Sequence, residues 1–328
     1  MSLENKIDKE PVLLSVCMTT YNHENYIAEA IQSVLMQKTG FGLELVIGED
    51  CSTDRTREIC KKYESDYPGI VRLILNKKNL GLKHNFFNVG ANCKGKYIAY
   101  LEGDDYWTDP YKLQKQVDFL EAHDDYALIY SSFDRYDEAQ KKLIKHVCAN
   151  EDDPSFDSLL EEDKIGALTT CYRKSVFDLY VKEVNPLAKN WRTQDYPMWL
   201  WISSRYKIHY IPDKTAIFRA VPNSLSNQKD ADKYFMFRVS VMDIKYFFAK
   251  EQGKEKSLLD EYIPLKKYQL DYAFDIGDKK MFNWAFKDLK TLCPEFLTGR
   301  KYFLKMIISN SLFTRLYKII RTILKRKP

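Results

Sequence analysis

Short apolar runs alternate along the first half of this chain with longer stretches whose apolar residues recur every three or four positions. Residues 13–18 read as a buried parallel strand that stops at Thr19, Thr20, Tyr21 and Asn22. Ile27, Ile31, Val34 and Leu35 then fall at helical spacing. Residues 43–47 form a second apolar run, and 50–54 a turn in which Ser52 or Thr53 is expected to cap a helix reaching about Pro68. A third run at 71–75 leads through Asn79 and Gly81 to a helix containing Phe87 and Val89, and a fourth run covers 97–101. This alternation predicts an α/β architecture with a mostly parallel sheet and helices on both faces. Beyond Pro110 the pattern predicts a helix through Leu113, Val117 and Leu120, then a strand at 126–130. Residues 134–165 are polar and acidic and read as an excursion. A strand is expected at 166–172, a helix at 194–204, and a closing pair of strands at 207–211 and 215–218. From about residue 230 the reading is helical.

Composition changes this picture little, but charge does. The net charge of +5 is unevenly placed. Residues 300–328 carry nine bases and no acid, so the remaining 42 bases and 46 acids leave the body at −4. A mildly acidic body with a basic end is not a nucleic-acid-binding body, and no nucleic-acid partner is expected. Seven scattered cysteines without a Cys-x-x-Cys pair point to free thiols in a reducing cytosol rather than to zinc or disulfides. No apolar run approaches the roughly 18 residues of a spanning helix, and no apolar signal core opens the chain.

Candidate chemistry gathers where apolar runs end, because strand carboxyl ends form the ligand crevice of an open α/β sheet. At the first end stand Thr19, Tyr21 and Asn22: a ring able to stack on a base and polar groups able to read its edge, or else a plain turn with Asn22 as a helix cap. At the second end, Asp50 is placed to accept hydrogen bonds from a ligand, whereas Asp54 reads as a residue that shapes the turn. The fourth run ends in Glu102, Gly103, Asp104 and Asp105. Acids so close repel unless a cation screens them, and oxygen donors suit Mg²⁺ or Mn²⁺ shared with a diphosphate. Gly103 allows close backbone approach of a ligand, and Asp105 is either a further ligand or a helix-capping acid.

These motifs together resemble family 2 glycosyltransferases, over roughly residues 12–225. That family has a GT-A (nucleotide-diphospho-sugar transferase) fold and an inverting reaction. Its Thr-x-Tyr-Asn strand end, acidic turn and Asp-x-Asp metal motif match Thr19–Asn22, Glu49–Asp54 and Glu102–Asp104 in order and spacing. Two positions depart: Glu102 replaces the usual first Asp, and Cys51 the usual Gly. The resemblance implies that Thr19, Tyr21 and Asp50 hold the nucleoside, that Asp104 is the main metal ligand, and that Glu102 meets ribose or metal. It implies further that Asp195, in the segment from Trp191 to Trp201, is the base that deprotonates an acceptor hydroxyl, as inversion requires. A helix N-cap is the plainer reading of Asp195. Trp191, Tyr196, Trp199 and Trp201 are either a sugar platform or core, with core favoured for Trp199 and Trp201. Arg219, in a segment similar to the family's Tyr-Arg-x-x-x-x-Ser-x-Ser close, pairs either with diphosphate or with an internal carboxylate. The five histidines lack metal-ligand grouping and read as structural or surface residues.

The tail from Tyr302 to Lys327 places Leu304, Ile308, Leu312, Leu316, Ile319 and Ile323 near one helical stripe flanked by bases, which suits an anionic membrane leaflet better than packing on the body. The resulting expectation is a catalytic domain over 1–228, a helical region over 229–300, and a membrane-associating tail over 301–328. The enzyme would transfer sugar from a nucleotide-sugar donor, with uridine the expected nucleoside, to a surface-polysaccharide or lipid-linked glycan acceptor at the cytoplasmic face of the plasma membrane. A sugar nucleotidyltransferase and a non-catalytic donor-binding or scaffold protein are the alternatives. The first is weakened by the lack of a Gly-rich triphosphate loop, the second by the presence of Asp50, Asp104 and Asp195 together.

Overall fold

The computed structural model describes residues 11–145, 152–221 and 230–297. The first unit runs β1 (Val12–Thr20), α1 (Ile27–Leu35), β2 (Gly42–Glu49), α2 (Thr56–Asp66), β3 (Val71–Leu75), α3 (Leu82–Asn92) and β4 (Tyr97–Glu102). It continues through β5 (Tyr106–Trp107), α4 (Lys112–Ala122), β6 (Tyr126–Asp137), β7 (Lys142–Ile144), α5 (Phe156–Glu161), β8 (Cys171–Arg173), α6 (Lys174–Val184), α7 (Tyr196–Ser203) and β9 (Lys207–Ala220). The sheet order is β3-β2-β1-β4-β8-β6-β9-β5, with β7 hydrogen-bonded to β6. Strands β3, β2, β1 and β4 are mutually parallel, in keeping with their nearly unbroken apolar runs. β8 runs antiparallel to both β4 and β6, while β6 and β9 are parallel to each other.

The register aligns three chain exits. Thr19 lies beside Gly48 on one side and Glu102 on the other, so β1, β2 and β4 deliver their polar ends to one edge. Beneath that edge Leu14, Val16, Met18, Leu45, Ile47, Ala99 and Leu101 pack with Ile27, Ile31 and Val34 of α1 in one apolar core.

Several sequence expectations give way to tertiary effects. The expected strand at 166–172 is a 3-10 turn at Ala167–Thr169 followed by the short β8. The expected closing pair is the single strand β9: the pairing with β6 passes from Ile211 directly to Lys214, so Pro212 and Asp213 sit in a bulge. The polar excursion contains the end of β6, β7 and α5. Neither Ser52 nor Thr53 caps α2; the Thr56 amide is instead met by Asp54 Oδ1 at 3.0 Å.

One residue of the core is costly. Lys112 is fully buried, with Nζ 2.8 Å from Gln116 Oε1 and 4.3 Å from the Trp107 ring centroid. Burial pushes its pKa down to about 7, against the opposing influence of Cys171 and Asp109. The unfolded chain therefore holds more protons than the folded one between about pH 7 and the ordinary lysine value near 10.4. Stability should rise with pH across that window, and the penalty is complete below it. Lys112→Met is expected to stabilise the protein at pH 7 by up to about 4 kcal/mol, at roughly 1.4 kcal/mol per pKa unit. Urea unfolding at pH 7 and pH 9.5 checks this: the gap between variant and wild type should narrow at the higher pH.

The second unit begins at Phe235. It comprises most of α8 (Ala231–Glu251) and α9 (Leu259–Ile276), α10 (Lys279–Leu292) and α11 (Pro294–Leu297). Met236, Leu270, Ala273, Met281, Phe282, Ala285 and Leu289 form its apolar core. A buried polar knot ties three of its helices: Lys266 of α9 pairs with Asp243 of α8 and with Asp288 of α10, and the Tyr262 hydroxyl donates toward the same two carboxylates. No described helix is long and apolar enough to cross a membrane, and the six described cysteines are free thiols. The basic tail lies outside the described residues.

Candidate active site

The loops after β1 and β2 are stitched to each other. The Asn22 amide donates to Ser52 Oγ at 3.0 Å, and Asn22 Oδ1 accepts from the Thr53 amide at 2.9 Å. His23 and Glu24 donate their amides to Thr56 Oγ1 and Asp54 Oδ2. Asn22 sits at φ 56, a left-handed position that Asn tolerates. Its side chain thus holds the neighbouring loop. Thr19 is buried, and its Oγ1 lies 2.9 Å from the Tyr100 hydroxyl. Tyr21, just past the end of β1, is 40% exposed.

Cys51 takes φ 62, which explains why a glycine suits this place: a side chain there costs roughly 1–2 kcal/mol. Part of that gain returns as unfolded-chain entropy, so Cys51→Gly should raise stability by about 0.5 kcal/mol. Cys51→Val, with branching at Cβ, should lower it, and thermal melts of both variants decide the matter.

Asp50 is buried, and its carboxylate is largely engaged. Oδ1 accepts from Asn76 Nδ2 at 2.9 Å and from the Leu80 amide at 2.8 Å, and Oδ2 accepts from the Gly81 amide at 2.8 Å. A carboxylate has about four acceptor positions, so three donors leave about one for a ligand. Neighbouring Glu49 is wholly buried between the Ser52 amide and the Arg57 guanidinium.

After β4 the chain turns through four residues against β1. The Gly103 amide donates to the Thr19 carbonyl at 2.9 Å. A Cβ on Gly103 would stand 2.7 Å from Thr20 Oγ1 and 3.0 Å from Ile27 Cδ1. The close approach that demands glycine is thus made by the protein's own chain, not by a ligand. Glu102, Asp104 and Asp105 bring one carboxylate oxygen each within 4.8 Å of one another. Burial, then the charges of Asp104 and Asp195, push Glu102 up to about 8, with the Tyr100 hydroxyl at 3.1 Å opposing. Asp105 is pushed well up by burial and by its two acidic neighbours. It caps no helix, since α4 begins at Lys112; its Oδ1 accepts from the Arg219 amide at 2.7 Å, while its buried Oδ2 has no partner. Three mutually raised or repelling carboxylates with an orphaned oxygen are what a hard divalent cation would satisfy, and all-oxygen donors favour Mg²⁺ or Mn²⁺.

Asp195 starts α7 as its N-cap. Oδ1 accepts from the Thr193 hydroxyl and from the Tyr196 amide at 2.9 Å, fixing the carboxylate at the helix start. Among the described residues nothing hydrogen-bonds Oδ2. The charge of Asp195 reaches Glu102 and helps to raise it. Trp191, Tyr196, Trp199 and Trp201 are all buried, which makes them core rather than a sugar platform. Of the two partners expected for Arg219, the structure shows the internal carboxylates: its side chain is 9% exposed and ion-paired with Glu29 and Glu138.

Two neighbours of the site escape a motif-based reading. Tyr100 is two residues before Glu102 and so on the same strand face, a period-2 signal that a strand reading contains. His23 Nε2 lies 3.8 Å from Asp104 Oδ2, and no local pattern announces that proximity.

Residues 15–177 match the sequence profile of glycosyl transferase family 2. The chain belongs to this family. An uncharacterized Mycobacterium tuberculosis protein is 36% identical over 162 residues, 49% of this chain and 47% of that protein. The chain thus spans about half the length of the first curated relatives it matches. TuaG of Bacillus subtilis, named as a teichuronic acid biosynthesis glycosyltransferase, is 27% identical over 219 residues, 66% of this chain and 82% of TuaG. Among solved structures, S. aureus TarS with UDP-GlcNAc superposes at TM-score 0.60 and 17% identity, covering 87% of this chain and 83% of TarS. The mannosyltransferase PcManGT from Pyrobaculum calidifontis, solved with GDP-Man and Mn²⁺, superposes at TM-score 0.53 and 14% identity, covering 92% of this chain and 85% of that one. The fold is accordingly GT-A. Within the matched residues, Asp50 follows β2 and the Glu102–Asp105 turn follows β4, two strands that flank β1.

Proposed function

We propose that this protein is an inverting glycosyltransferase that moves a sugar from a nucleotide diphosphate, preferentially a UDP-sugar, to a hydroxyl of a surface-polysaccharide or lipid-linked glycan. The observation that carries this reading is a three-carboxylate cluster whose Glu102 feels the charge of Asp195, together with an Asp195 oxygen that no described residue hydrogen-bonds. Tyr21 would stack on the nucleobase, and the remaining acceptor position of Asp50 would meet its edge or the ribose. Asp104, with Glu102 beside it, would hold Mn²⁺ or Mg²⁺. Bound there, the cation supplies charge stabilisation for the departing diphosphate. Asp195 Oδ2 would take the proton of the acceptor hydroxyl as that oxygen attacks the anomeric carbon opposite the leaving group. The uridine preference and the glycan acceptor draw support from TarS, solved with UDP-GlcNAc, and from the name of TuaG. The basic segment 301–328, outside the described residues, would hold the enzyme to an anionic cytoplasmic leaflet.

Release of nucleoside diphosphate from UDP-, GDP- and dTDP-sugars, with and without Mn²⁺, tests the proposal. One donor hydrolysed slowly in a metal-dependent way is the expected result. Neither binding nor release across the panel would leave a non-catalytic protein.

A further inference from the structure

Arg219 makes more contacts with the acidic turn than a diphosphate-binding residue needs, and all of them are internal. Its backbone amide donates to Asp105 Oδ1 at 2.7 Å, and its Nε donates to the Asp104 carbonyl at 2.9 Å. One residue of β9 thus grips both acids of the turn, one through its carboxylate and the other through its main chain. The rest of the guanidinium is anchored elsewhere. Nη1 donates to Glu138 Oε2 at 3.1 Å, just past the end of β6, and Nη2 to Glu29 Oε2 in the first turn of α1. Three tyrosine rings enclose it, with centroids 5.0 Å (Tyr26), 5.1 Å (Tyr106) and 5.7 Å (Tyr136) from the guanidinium carbon.

We infer that Arg219 is a positioning residue that, with Glu29 and Glu138, clamps the Asp104–Asp105 turn so that the Asp104 carboxylate faces a divalent cation. The inference rests on the proposed reading of Asp104 as a cation ligand. The physics favours arginine for the task. Its planar fork delivers Nε and both Nη groups in fixed relative directions, so pinning the two Nη groups on α1 and β6 also fixes where Nε points. Each carboxylate of the turn repels its neighbours, and a loop left to itself would splay them apart. Holding Asp104 by its carbonyl leaves its side chain available, whereas a cationic side chain placed against the carboxylate itself would compete with the metal. Glu29 and Glu138 complete the device by keeping the guanidinium paired and away from Asp104's side chain. Lysine keeps the charge but not the fork, so the clamp has no lysine equivalent.

The test measures Mn²⁺ alone, by the electron paramagnetic resonance signal of free hexaaqua Mn²⁺, on the full chain without nucleotide, alongside UDP affinity without metal and thermal melting. Arg219→Lys and Glu138→Gln are each expected to weaken Mn²⁺ binding about 5–10-fold, with UDP affinity in the absence of metal unchanged. The double variant should be no weaker than the stronger single one, because both act through one contact chain. Glu29→Gln, at a half-exposed position that folding tolerates, should give a smaller loss in the same direction. A merely structural role would shift melting without moving Mn²⁺ affinity in variants that remain folded, and that result overturns the clamp. Loss of UDP affinity in Arg219→Lys, with Glu138→Gln unaffected, overturns it in favour of a direct diphosphate contact. Wild-type protein that binds no Mn²⁺, like Asp104→Ala, overturns the cation reading itself and the clamp with it.

Discussion

Asp195→Asn is expected to lower the rate of sugar transfer by about 10²–10⁴-fold, the usual contribution of a general base, while donor KM stays within a few-fold. The substitution is a narrow one. Asn retains the size and the Oδ1 acceptor that meet Thr193 and the Tyr196 amide, and it caps a helix as well as Asp does. The start of α7 should therefore survive with a stability change under about 1 kcal/mol. What disappears is the capacity of the second oxygen to take a proton. A fall in kcat and kcat/KM together, with donor binding intact, marks an interaction made in the transition state alone. The variant has a second signature. Asp195 is one of the charges that raise Glu102, so its removal lets Glu102 ionise at lower pH. Any limb of the pH–rate profile governed by Glu102 should then move toward acid. Unchanged transfer by Asp195→Asn would reduce Asp195 to a helix cap.

How much of this was legible in the residues varies with the range of the forces involved. The parallel half of the sheet was readable because β1, β2 and β4 are largely buried and the apolar runs of all four strands are nearly unbroken. The acids at 50, 102 and 104 could be placed at strand ends for the same reason. β5 was not readable: two residues become a strand only because Tyr106 and Trp107 meet Ile217 and Ala216 across 110 positions. β9 looked broken at Pro212, since nothing local says that a bulge against β6 absorbs it. The roles of individual polar groups were the least legible. Asn22, Thr19 and Arg219 carry the chemistry expected of ligand contacts, yet their partners Ser52, Tyr100 and Glu138 lie 30, 81 and 81 residues away. Motif spacing records which residues are near a ligand crevice. It does not record which of them face it and which hold it open.

Asp104→Ala should cost about 4 kcal/mol of transition-state stabilisation, near a thousandfold in rate, the several kcal/mol that a cation contributes at a departing diphosphate. Chelation of the wild type should copy the variant, and added Mn²⁺ should restore only the wild type. Glu102→Asp is expected to be far milder, because it shortens the side chain held by Tyr100 without removing its carboxyl group. The acid cluster also predicts a proton balance. With no cation, Glu102 stands near 8 and Asp105 is raised as well; at pH 7 Glu102 keeps most of its protons, which an ordinary carboxylate would have lost. Oxygen ligands must be ionised to bind a divalent cation, so Mn²⁺ uptake at pH 7 should expel them. Calorimetry in buffers of different ionisation enthalpy would then report about one proton or more released per ion bound. As the pH passes 8, Glu102 is already ionised without the ion, and the release should shrink by the share belonging to Glu102. Asp104→Ala removes a ligand and one of the charges that raise both neighbours, so it should abolish the uptake and the proton release together. Mn²⁺ binding at pH 7 with heats independent of the buffer would place the ion elsewhere than on this turn, and with it the origin of any metal dependence.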